Sequence, residues 1–133
     1  VKIIEKIQEN IILQAKHYLS EFESFYPFAC VIDNRNNIKP VSAYLENDSP
    51  DVEEVLSELI LGLKKGIEKK EYKAVGIALD VSVTPPHKKD TLDAIEIRVW
   101  DNGSKVNIYV PYFRETNGDI SFIDSYREEG TFG

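Results

Sequence analysis

Residues 73–113 read KAVGIALDVSVTPPHKKDTLDAIEIRVWDNGSKVNIYVPYF, and this stretch decides the fold. Val75, Ile77, Leu79, Val81 and Val83 alternate with Ala74, Gly76, Ala78, Asp80 and Ser82. A period of two marks a strand with two different faces. Beyond a loop holding Pro85, Pro86 and His87, a second run alternates Ile95, Ile97 and Val99 with Glu96, Arg98 and Trp100. Asn102-Gly103 then supplies the two positive-φ residues of a type I′ hairpin turn. Folding there sets Asp101 opposite Ser104, Val99 opposite Val106, Ile97 opposite Ile108 and Ile95 opposite Val110. Apolar meets apolar at each core position, so the register is self-consistent.

Toward the N-terminus, Ile4, Ile7, Ile11, Ala15, Tyr18 and Phe22 recur at steps of three and four. That spacing predicts an amphipathic helix of about five turns, with Ile3, Ile12 and Leu19 widening its apolar stripe. Pro27 ends it. Phe28 to Ile32 reads as a short buried strand, Asp33 to Asn37 as a turn, and Ile38 to Leu45 as a second strand. Pro40 removes a ladder donor and assigns that strand to an edge or a bulge. Asp48-Ser49-Pro50-Asp51 predicts a helix start, with a capping side chain, proline at the first helical position and acids in the first turn. Val52, Val55, Leu56, Leu59, Leu63 and Ile67 follow on one face. Toward the C-terminus, Asn117-Gly118 predicts another tight turn, pairing Tyr112–Glu115 with Ile120–Ile123. The tail from Ser125 to Gly133 has no clear periodicity, and Glu128-Glu129-Gly130 reads as exposed and mobile.

The expectation is therefore an α+β domain spanning residues 1–133, with element order αββαβββ(β). Two helices accompany a mostly antiparallel sheet of five to six strands. This element order is similar to that of profilin-like and roadblock or longin-type domains. No residue motif accompanies the similarity, so it carries over no functional residue.

Length, 42% apolar and 29% charged residues are ordinary for a folded domain with a real core. There is no apolar run long enough to span a bilayer, and residues 1–20 lack the apolar centre of a signal peptide. A cytoplasmic location is the default expectation. Val1 and the absence of Met imply an initiator Met that was removed or not numbered. Cys30, the single cysteine, lies in an apolar run and reads as a buried, inert thiol. A net charge of −7, read as diffuse, disfavours nucleic acid and anionic membranes as partners and is equally compatible with a basic protein partner or with simple solubility.

A search for chemistry finds little. His17, Cys30 and His87 have no metal-ligand spacing, so no metal or other cofactor is expected. The Asp33 loop lacks the central glycine of a calcium loop, and Arg35 takes a ligand slot. No Gly-x-Ser-x-Gly elbow and no glycine-rich phosphate loop appear. Asp80 interrupts a face of small residues in mid-strand, where burial would raise its pKa unless it pairs with Arg98. Placing the strands as simple neighbours puts Arg98, Trp100 and Tyr109 on that small-residue side, either as a contact surface or under a packed helix. His87, in the one local basic cluster, is a further binding candidate.

Three functions fit. The first is a non-enzymatic protein-interaction domain, in its sharper form an acidic immunity-type inhibitor of a basic toxin. The second is a small-ligand or enzymatic site around Asp80, Arg98, Trp100 and Tyr109. The third is a roadblock-like homodimeric scaffold.

Overall fold

The structure, a computed structural model, describes residues 2–46 and 48–132. Val1 and Gly133, the ends on which expectations were stated, lie outside the described residues, as does Asn47. The elements run α1 (Ile3–Glu21), β1 (Phe28–Asp33), β2 (Ile38–Val41), α2 (Val52–Glu68), β3 (Tyr72–Val83), β4 (Leu92–Asp101), β5 (Ser104–Arg114), β6 (Ile120–Phe122) and β7 (Tyr126–Glu129). The fold is α+β, with two helices and a seven-stranded antiparallel sheet among the described residues.

The sheet runs β2-β1-β3-β4-β5-β6, and β7 also pairs with β5. β4 and β5 take the register read from the sequence, from Asp101 opposite Ser104 to Ile95 opposite Val110. β2 lies at an edge, where the missing donor of Pro40 leaves no ladder bond unmade on the outer side. The other edge is shared: Tyr112–Arg114 of β5 pair with β6, and Val106–Tyr109 pair with β7.

One helix packs on each sheet face. α1 buries Ile7, Ile11, Ala15 and Leu19 against Ala74 and Ala78 of β3, Ile95, Ile97 and Val99 of β4, and Ile108 and Val110 of β5. α2 buries Val55, Leu56, Leu59 and Leu63 against Ala29, Val31, Val75, Ile77 and Leu79. The small residues of β3 thus receive α1. A Cβ on Gly76 would stand 2.4 Å from Ile7 Cγ2, so the helix sits where only glycine leaves room.

Three expectations need correction. The α2 cap is Asp51, whose carboxylate accepts from the Glu54 backbone N–H at 2.8 Å, and Pro50 precedes it. Strand β2 ends at Val41 rather than Leu45. The tail is structured, and it adds the strand that takes the sheet beyond six. After β7, Gly130 passes so close to β5 that a Cβ would fall 2.4 Å from the Lys105 carbonyl carbon and the Val106 nitrogen. Asn107 then holds Thr131 at two points. Its Oδ1 accepts from the Thr131 N–H at 3.2 Å, and its Nδ2 donates to the hydroxyl at 2.9 Å. Phe132 is delivered into the α2-side core.

Candidate interaction surface

The register of β3 against β4 decides which side chains share a face. Gly76 pairs with Val99, Ile77 with Arg98, and Leu79 with Glu96. Directly opposed residues point the same way. Arg98 and Trp100 therefore lie beside Val75, Ile77 and Leu79, on the α2 side, and not beside the small residues as expected from simple neighbour placement. The reason is parity. Eight residues, 84–91, separate the strands, and this loop pairs odd positions with even ones. Pattern alone does not specify that choice.

Asp80 consequently stands on the opposite face from Arg98, Trp100 and Tyr109, and these four do not form one site. Its partner is the Tyr112 hydroxyl, which donates to Oδ1 at 2.7 Å. Burial pushes the Asp80 carboxyl up, against the lowering effect of that hydrogen bond. On the α2 side, Glu96 is buried and accepts from Arg98 Nε at 2.8 Å and from the Tyr109 hydroxyl at 2.9 Å. Tyr109 stacks on Tyr126 of β7, with ring centroids 5.2 Å apart. Burial, with donation to Glu96, raises the Tyr109 phenol. Each strong polar group in this cluster is matched to another, which makes it a structural network joining three strands. His87 is exposed, with φ +64°, in the loop between β3 and β4.

Two open depressions flank the sheet. One, of about 610 Å³, is lined by Trp100, Tyr72 and Ile67, together with Lys70, Lys73 and Asp101. The other, of about 340 Å³, is lined by Tyr18, Phe25, Tyr26, Leu45, Pro50 and Val55. It forms where the α1–β1 connection meets the segment leading into α2. Tyr26 ties the two together by donating to the Pro50 carbonyl at 2.8 Å. Tyr18, Phe25 and Phe28, all in its lining, pack edge-on or tilted against one another.

The net negative charge is not diffuse. Glu46, Asp48, Asp51, Glu53, Glu54 and Glu58 are all exposed, and no Lys or Arg lies between Lys39 and Lys64. These acids follow or flank Leu45, Pro50 and Val55 of the smaller groove. At the end of α1, Glu21 and Glu23 are exposed around Phe22, whose carbonyl accepts from Arg114 Nη2 at 3.1 Å. Tyr44 is 85% exposed, Phe22 61% and Tyr26, which lines the groove, 51%. Sequence reading missed this surface because it comes together from two separate connections. The acid run without a cation was the signal available in the chain.

Among the described residues, no group of three or more His, Cys, Asp or Glu could hold a metal ion. The Asp33 carboxylate instead accepts from the Arg35 and Asn37 backbone N–H groups, each at 2.9 Å, and closes its own turn. Among the described residues, no helix is long and apolar enough to cross a membrane. No protein-family model, curated protein or solved structure matches the chain.

Proposed function

We propose that the protein is a non-enzymatic interaction domain whose partner is a basic protein. The observation that carries this reading is the segregation of charge: six exposed acids in residues 46–58 with no cation among them. Such a patch steers an oppositely charged partner and makes association fast and salt-sensitive. An acidic inhibitor masking a basic toxin is the sharpest form of this reading. The test is capture from a lysate of the source cells, comparing wild type with the E53K/E54K/E58K variant. A basic protein retained by wild type and lost by the variant supports it. A partner that is acidic, or retained equally by both, removes it.

A second reading is a small-ligand site, favoured by the larger depression with Trp100 and Tyr72 beside Lys70 and Lys73. Trp100 is the single tryptophan, so its emission reports directly on occupancy. Anionic aromatic compounds that leave that emission unchanged would rule this site out for them.

A further inference from the structure

We infer that the smaller groove is an anchor pocket for an amphipathic basic segment of the partner, which seats apolar side chains in the groove and lysines or arginines over the surrounding acids. The inference rests on the reading of a basic partner and adds where, and by what kind of segment, that partner is held.

The lining argues for apolar anchors. Tyr18, Phe25, Leu45, Pro50 and Val55 offer little to orient a polar ligand, and the Tyr26 hydroxyl is engaged by the Pro50 carbonyl. A depression of about 340 Å³ falls at the low end of the range of roughly 300–1,000 Å³ for ligand pockets. Phe22, Tyr44 and Val52 are exposed and stand within three positions of lining residues in the chain. An apolar centre with a charged border is the anatomy of a protein contact, and an amphipathic helix in a groove is a recurring form of it.

The charge argues against a second copy as the occupant. A two-fold contact through this face would set Glu46, Asp51, Glu53 and Glu54 against their own images. Like charges facing each other across an interface oppose association. A cationic segment meets the same groove with the sign reversed.

The test uses two synthetic helical peptides of about 18 residues, five turns long. Both carry Leu and one Phe on the apolar face; one carries Lys on the polar face and the other Glu. Binding to the isotope-labelled protein is followed by NMR shift mapping at low and high salt. The expected result is binding of the Lys peptide alone, weakened at least tenfold by salt, with shifts at Tyr26, Ala43, Leu45 and Val55 and none at Trp100. Ser42→Arg, which places a cation at the groove, and E53K/E54K should each lower affinity at least tenfold while leaving the remaining spectrum folded. Loss of binding in E53K/E54K with none in Ser42→Arg would overturn the groove and leave the basic-partner reading standing. Equal binding of the two peptides, or of neither, would overturn both.

Discussion

Gly76→Ala tests the packing of α1 on the sheet, because its sign is set by one contact. Gly76 lies in β3 at an ordinary strand position and is not among the glycines with positive φ. By backbone entropy alone, alanine there would stabilise the protein by about 0.4–1 kcal/mol. The new methyl group, however, would stand 2.4 Å from Ile7 Cγ2 and 3.1 Å from Ile11 Cδ1. Carbon contacts settle near 3.5–4.0 Å, so the overlap with Ile7 is about 1.1–1.6 Å. Ile7 and Ile11 are completely buried and have nowhere to turn, so α1 itself must lift. The expected cost is about 1–3 kcal/mol, read as a fall in Tm of roughly 3–5 °C per kcal/mol for a chain of this size. Urea unfolding of Gly76→Ala, Ile7→Ala and the double variant measures it. Ile7→Ala deletes the clashing Cγ2, so the double variant should be more stable than the sum of the single effects predicts, by about 1 kcal/mol. A neutral or stabilising Gly76→Ala, or strict additivity, would refute the placement of α1.

Other perturbations address the remaining features. Asn107→Ala should cost about 1–3 kcal/mol by removing two hydrogen bonds to Thr131, at roughly 0.5–1.5 kcal/mol each; hydrogen exchange of residues 126–132 should quicken, and unchanged protection there would contradict the clamp. The Asp80 carboxyl is held above its ordinary value chiefly by burial, with Asp93 adding to the effect and Tyr112, the Phe25 backbone and Arg114 opposing it. Its charged form is therefore penalised in the folded state, and stability falls as pH rises from the unfolded to the folded pKa. Asp80→Asn keeps an acceptor for Tyr112, so its stability relative to wild type should grow across that window and stay flat below it; a gap that shrinks with rising pH would sink the assignment. Burial pushes the Cys30 thiol up to about 12. A disulfide-exchange reagent at pH 8 should label it only as fast as the protein unfolds, and rapid stoichiometric labelling of the folded chain would show that Cys30 is accessible.

How much was legible differs by element. The β4–β5 register followed from the Asn102-Gly103 turn and the alternation beside it, because a two-residue loop leaves one pairing. The edge position of β2 followed from Pro40. By contrast, the β3–β4 register depends on the parity of an eight-residue loop, which composition does not encode. That single ambiguity put Arg98, Trp100 and Tyr109 on the wrong face and joined them to Asp80. Glu128–Gly130 was read as mobile because the order of this segment comes from tertiary contacts. The Asn107 clamp, the fit of Gly130 against Lys105 and the burial of Phe132 have no local pattern. The aromatic groove was invisible for the same reason, since Tyr26 and Pro50 meet across 24 positions of chain. The acid run from Glu46 to Glu58 was fully visible, and treating the net charge as diffuse obscured it.

The central claim is a basic protein partner held through the acidic surface at the start of α2. Native mass spectrometry of the protein captured from its own cells, at low and then at high salt, tests it most directly. The account predicts a stoichiometric complex with a basic protein that dissociates as salt rises. The bare chain or a homodimer under both conditions would contradict it, as would a partner whose retention ignores salt.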